Sequence, residues 1–136
     1  MKVALDTNAY SNLAKGRGSP DKILSVRKAT THYLPLFVIA ELRAGFEKGS
    51  KTKDNLDRLE EFLQKPNTIV LSPDIQTTEH YAELHVHLAR KGTPIPTNDL
   101  WIAALVLQHG LTLCTNEKHF DNIPGIEIFT LQRLQK

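Results

Sequence analysis

Val3-Ala4-Leu5-Asp6-Thr7-Asn8 opens the chain with three apolar residues, one acid and two good helix-starting residues. An apolar run this short, met at once by capping chemistry, reads as a buried strand that hands over to a helix at Asp6. The same unit recurs along the sequence. Further strands are expected at His32-Tyr33-Leu34, Thr68-Ile69-Val70-Leu71, Leu113-Cys114-Thr115 and Glu127-Ile128-Phe129. Helical patterns lie between them, over residues 8–14, 20–29 (capped by Ser19, with Pro20 in its first turn), 36–46 and 52–64. Another helix is expected to open at Ser72-Pro73 and close at Gly92, and a last one to be capped by Thr97 or Asn98 and stop at Gly110. Strands alternating with crossover helices predict a three-layer α/β/α sandwich around a mostly parallel five-stranded sheet. With 136 residues, the chain is expected to form one domain, residues 1–136.

Composition removes several classes of function. A single cysteine, Cys114, excludes a disulfide framework and any cysteine-based zinc site, and its apolar neighbours make it a buried thiol. No apolar run approaches the roughly 18 residues that span a bilayer, and no cleavable signal pattern is present, so a soluble, cytoplasmic protein is expected. There is no nucleophile elbow, Gly-rich phosphate loop or His-Glu-x-x-His motif. His80 and His87 share a helical face two turns apart, and His85 faces away from His87, so no pair of them suits one metal ion.

Four acids fall at the ends of strands or the starts of helices: Asp6, Glu41, Asp99 and Glu117. In open parallel sheets, ligands bind beyond the carboxyl ends of the strands. Singly, each acid has an ordinary explanation, such as a helix cap for Asp6 or a marginal ion pair for Glu41. Glu41 resists that explanation most. It and Arg43 are the only charged residues in Phe37-Val38-Ile39-Ala40-Glu41-Leu42-Arg43-Ala44-Gly45-Phe46, and they point about 200° apart on a helix. Flanked by Phe37, Ala40 and Ala44, Glu41 is expected to face inward. Asp99 begins a helix that is apolar nearly all round, Leu100-Trp101-Ile102-Ala103-Ala104-Leu105-Val106-Leu107, and so belongs to the interior. Carboxylates gathered at one sheet edge need a shared cation, which predicts metal-dependent phosphodiester chemistry. With the four acids neutralised, 17 basic side chains face 11 remaining acidic ones, a surface that suits nucleic acid. Lys15, Arg17, Lys22, Arg27 and Lys28 concentrate in the first thirty residues, and a basic loop covers residues 48–53. His119, two residues after Glu117, is read by default as a surface or helix-end histidine, with substrate contact as the alternative.

Leu5-Asp6-Thr7-Asn8, Ala40-Glu41-Leu42, the run Pro96-Thr97-Asn98-Asp99-Leu100-Trp101-Ile102-Ala103-Ala104, and Thr115-Asn116-Glu117-Lys118-His119-Phe120 with Ile123-Pro124-Gly125 together resemble the PIN-domain ribonucleases, most of all the VapC toxins of prokaryotic toxin–antitoxin modules. The resemblance runs along nearly the whole chain. It implies an endoribonuclease dependent on Mg²⁺ or Mn²⁺, with Asp6 and Asp99 holding the ion most directly and Glu41 and Glu117 completing the acidic pocket. Thr7, Asn8, Thr115 and Asn116 would position the carboxylates or a water. It further implies RNA as substrate, a homodimer, and a cognate antitoxin covering the pocket. One departure stands out: the family's usual fourth acid is Asp, and here it is Glu117. That substitution is the single hint of a competing reading, a catalytically silent PIN domain that binds RNA or protein. A receiver domain has similar length, but it needs paired acids after the first strand, and Asp6 stands alone.

Overall fold

A computed structural model describes residues 1–132. The first strand, β1 (Lys2–Leu5), is the middle of a sheet ordered β3-β2-β1-β4-β5, with β2 at Thr31–Pro35, β3 at Thr68–Leu71, β4 at Thr112–Cys114 and β5 at Glu127–Phe129. Every neighbouring pair is parallel, in the registers Val3 to His32, Val3 to Thr112, Tyr33 to Ile69 and Leu113 to Ile128. Because the chain first builds outward through β2 and β3 and then returns to the other side of β1, the order reverses between β1 and β4. Crevices at such reversals are where open α/β sheets bind ligands. The central strands are apolar because helices cover both faces: Val3, Ala4, Leu5, Leu34 and Leu113 are fully buried.

The helices are α1 (Thr7–Lys15), α2 (Pro20–Arg27), α3 (Leu36–Lys48), α4 (Thr52–Leu63), α5 (Ile75–Lys91) and α6 (Thr97–His109), and a 3-10 turn at Lys118–Asn122 follows β4. Two expected helix starts need correction. The fifth helix begins at Ile75 and not at Ser72-Pro73, because Asp74 and Thr77 form a reciprocal capping box: the Thr77 N–H donates to Asp74 Oδ1 at 3.0 Å and the Asp74 N–H to Thr77 Oγ1 at 2.9 Å. Neither Thr97 nor Asn98 caps α6, whose N-cap position is Pro96 with no side-chain cap, so Asn98 is left free to face the acids. Ser19 occupies the α2 N-cap as expected, with Pro20 at the first helical position, though its side chain makes no cap hydrogen bond. The fourth strand starts one residue earlier than expected, at Thr112.

Two contacts hold the site-bearing helices together. Trp101 of α6 lies between Phe37 of α3, at a ring-centroid distance of 5.7 Å, and Tyr81 of α5, at 4.2 Å. At the far end of α6, Gln108 Nε2 donates to Asp74 Oδ1 at 2.8 Å, so α5 and α6 are tied at both ends. Among the described residues, no helix is long and apolar enough to cross a membrane.

The segment after β5 packs back over the α1–α2 connection. Leu131 is fully buried, and its carbonyl accepts the Ser19 N–H at 2.7 Å. Gly18 has φ +146°, and a Cβ there would sit 2.6 Å from the Leu131 carbonyl oxygen. Gly16 has φ +67° but open space around it. Gly18→Ala should therefore cost about 2–4 kcal/mol in urea unfolding, from strain plus displacement of backbone, while Gly16→Ala should cost about 1 kcal/mol. Equal costs at the two positions would contradict the packing of Leu131 against Gly18.

Candidate active site

Asp6 directly follows β1 and caps α1, as its helix-cap explanation expects. Its Oδ1 accepts the Ala9 N–H at 2.8 Å, and the residue is only 3% exposed. Burial pushes its carboxyl up to about 6, against the opposing pull of the Thr115 hydroxyl and the Ala9 N–H; the charges of Asp99 and Glu117 push the same way as burial. Asp99, in the first turn of α6, is also held above the ordinary carboxylate range by burial, partly offset by His119 and reinforced by Glu117.

Glu41, in the second turn of α3, is raised by burial first and by the Asp99 charge second, with Thr7 and Asn98 opposing. Its Oε1 is buried with no hydrogen-bond partner, and Thr7 Oγ1 at the start of α1 is in the same condition. The expected surroundings of Glu41 need correction. The packed face of α3 is Val38, Ile39 and Leu42, whereas Ala40 and Ala44 are exposed. Glu41 sits at the margin of the core and lines a cavity of about 270 Å³ that Thr7 and Tyr10 also line. Arg43 is exposed, as expected.

Glu117 follows β4 and is the most open of the four, with its side chain 45% exposed. Asn8 Nδ2 donates to its Oε1 at 3.2 Å, and its own N–H donates to Thr115 Oγ1 at 3.0 Å. Thr7, Asn8 and Thr115 thus lie among the acids. Asn116 does not: its Oδ1 accepts the Thr130 hydroxyl, which ties it to the end of β5.

His119 is the residue that sequence reasoning underrates. It is half-buried, with Nε2 at 2.9 Å from Asp99 Oδ2 and Nδ1 at 4.0 Å from Glu117 Oε2. The 3-10 turn places it there, anchored by the fully buried Phe120. No periodicity announces so short a turn. The available signal is proximity to Glu117.

Neighbouring acids help to raise the pKa values of Asp6, Glu41 and Asp99, and among the described residues no lysine or arginine forms an ion pair with any of the four acids. His119 is their single basic neighbour in pairing distance among those residues. The donor set is all hard oxygen, which suits Mg²⁺ or Mn²⁺ over softer metals. Among the described residues, no three His, Cys, Asp or Glu side chains are grouped so that together they could hold a metal ion. An ion that keeps several of its waters and takes only one or two protein carboxylates needs no such grouping. Cys114, buried beside Asp6, has its thiol pushed up to about 12 by burial and by the Asp6 charge, and is inert.

A parallel sheet with four acids at its reversal defines a fold that matches a known family model, the PIN domain, over residues 3–126. The chain is 33% identical to the tRNA(fMet)-specific endonuclease VapC of Salmonella typhimurium, over 94% of this chain and 96% of that protein. It is 30% identical to ribonuclease VapC5 of Mycobacterium tuberculosis, over 89% and 87%. A crystal structure of DNA-bound VapBC from Salmonella typhimurium superposes with a TM-score of 0.82 at 31% identity, covering 96% of this chain and 98% of that one. The chain belongs to the PIN-domain family and, within it, to the VapC ribonucleases.

Because Asp6 holds its proton more tightly folded than unfolded, its ionised form weakens the fold at neutral pH, and this penalty fades as pH falls through 6 towards 4. Asp6→Asn keeps a cap acceptor and removes the charge. In EDTA at pH 8 it should raise unfolding free energy by about 1–3 kcal/mol, with little gain at pH 4. Destabilisation at pH 8 would contradict the electrostatic account of the pocket.

Proposed function

We propose that this chain is the endoribonuclease toxin of a toxin–antitoxin pair and hydrolyses RNA phosphodiester bonds with Mg²⁺ or Mn²⁺ held by Asp6 and Asp99, with Glu41 and Glu117 completing the pocket. The observation that carries the reading is the set of four mutually repelling carboxylates that no lysine or arginine pairs with, among the described residues, one of them with a buried oxygen lacking any partner. When bound, the divalent cation supplies charge neutralisation at the scissile phosphate and lowers the pKa of a water.

The chain's own residues do the rest. The Ala9 N–H fixes the Asp6 carboxylate, and His119 Nε2 stands 2.9 Å from Asp99 Oδ2. Asn8 holds Glu117 towards Asp6. Glu41 Oε1, unpartnered and with a raised pKa, is the acceptor available for the proton of an attacking water. Thr115, just after β4, accepts the Glu117 N–H and faces the Asp6 carboxylate, and the unpartnered Thr7 hydroxyl is available to a water. VapBC complexes among the structural neighbours support a cognate antitoxin as partner; its tail would cover the acidic pocket, and a second copy of this chain would complete the assembly. The setting is the cytoplasm, and the whole chain acts as one nuclease domain.

Purified protein should cleave RNA with Mn²⁺ or Mg²⁺ and stop in EDTA. Asp6→Asn and Asp99→Asn should each lower kcat/KM on the order of a thousandfold while remaining folded. Glu117→Gln should lower it about tenfold, since that side chain is half-exposed and tied to Asn8, and Glu117→Asp should keep activity. Gel-based cleavage assays with circular dichroism as the folding check decide this. Undiminished cleavage in EDTA would contradict the mechanism.

A further inference from the structure

Among the described residues, five buried side-chain polar atoms have no hydrogen-bond partner: Thr7 Oγ1, Glu41 Oε1, Thr68 Oγ1, Thr93 Oγ1 and His119 Nε2. Three of the five belong to residues around the acidic pocket, and His119 Nε2 is the one nitrogen among them. A buried donor left unmade costs about 1–3 kcal/mol, so such atoms are rare unless a ligand completes them.

His119 is not free to turn towards another partner. Its ring packs on that of the fully buried Phe120, with centroids 4.8 Å apart and planes at 49°. Its backbone lies in the 3-10 turn, where its carbonyl accepts Asn122 Nδ2 at 3.4 Å. The imidazole is thereby held between two carboxylates, with Nε2 2.9 Å from Asp99 Oδ2 and Nδ1 4.0 Å from Glu117 Oε2. A lone pair on Nε2 would face a carboxylate oxygen at contact distance, so Nε2 bears a hydrogen in the neutral ring as in the charged one. The N–H direction nevertheless misses Oδ2 by too much for a hydrogen bond. Asp99 keeps the ring in place and leaves its donor unused.

We propose that His119 is a catalytic residue whose Nε2–H donates to a non-bridging oxygen of the scissile phosphate. This rests on the nuclease reading above and gives His119 a contact with substrate in place of a supporting role behind Asp99. Charge that develops on the phosphate oxygens during hydrolysis is stabilised by donors already fixed in position. Among the described residues, no lysine or arginine pairs with the acids, and His119 is the basic side chain that stands beside them.

The test uses an RNA oligonucleotide that the wild-type protein cuts at one mapped bond, made with oxygen or with either phosphorothioate isomer at that bond, and followed in single turnovers at saturating Mn²⁺. His119→Ala should slow the all-oxygen RNA about a hundredfold, and His119→Gln, whose amide donates with similar reach, should recover about tenfold of that loss. Sulfur is a weak acceptor, so wild type should cut one isomer about tenfold or more slower than the oxygen RNA, and this slowing should vanish in His119→Ala. Mn²⁺ affinity, measured by calorimetry on metal-free protein, should change by less than about threefold in His119→Ala, where loss of a group supporting a metal ligand costs about 10–100-fold. A slow isomer that stays equally slow in His119→Ala would overturn the contact. Mn²⁺ affinity falling in step with rate, or rates restored by excess Mn²⁺, would also overturn it and reduce His119 to a support for Asp99. The nuclease reading fails separately, and takes this contact with it, if the wild-type protein cuts no RNA or cuts it in EDTA.

Discussion

Mutual repulsion among buried carboxylates is the constraint around which this molecule is built. Asp6, Asp99 and Glu41 all have raised pKa values, and in each case burial is the largest cause and a neighbouring acid adds to it. A protein selected only for stability would pair these groups or replace them, because a buried unpaired charge costs several kcal/mol. Here the compensation within the described residues is limited to one histidine, a helix N-terminus and a few hydroxyl and amide groups. The remaining electrostatic strain is what the proposed cation would relieve.

The fold supplies the rigidity that holds such a cluster together. Asp6 and Glu117 follow adjacent parallel strands, β1 and β4, so their separation is set by the ladder between them, which the Asp6 N–H extends by donating to the Cys114 carbonyl at 3.3 Å, and β4 is held in turn to β5 by the Thr115 N–H on the Phe129 carbonyl at 3.0 Å. Glu41 and Asp99 arrive on helices instead. Their spacing depends on Phe37 and Trp101, stacked face to face one helical turn before Glu41 and two residues after Asp99. Two acids are thus fixed by backbone and two by aromatic packing. The buried helix α6, with Leu100 and Ile102 to Val106 all in the core, carries its acid on the most deeply packed helix of the fold.

Much of this is legible in the residues. Apolar runs mark the central strands β1 and β4 because they are covered on both faces, while the partly exposed edge strands β3 and β5 show through their β-branched and aromatic residues. The α6 stretch is legible for the same reason as β1 and β4. Helix starts are less so: Ser72, Pro73, Asp74, Thr97 and Asn98 are all acceptable near a cap, and only the tertiary partner Gln108 and the demand for Asn98 near Glu41 decide which is used. Glu41 stands out in the sequence although two of its expected inward neighbours, Ala40 and Ala44, are exposed; small apolar side chains carry little directional information. His119 cannot be placed from sequence, because a 3-10 turn has no lasting period and its direction is set by the burial of Phe120.

Proton release on metal binding tests the central claim most directly. Mn²⁺ titrated calorimetrically into metal-free protein, in buffers of different ionisation enthalpy, reports how many protons leave the pocket. If Asp6 titrates near 6 and helps to hold the ion, binding at pH 6 should expel at least about half a proton, falling towards zero at pH 8, and Asp6→Asn should lose most of that release. Mn²⁺ binding with no proton release at pH 6, or no binding at all, would contradict the account.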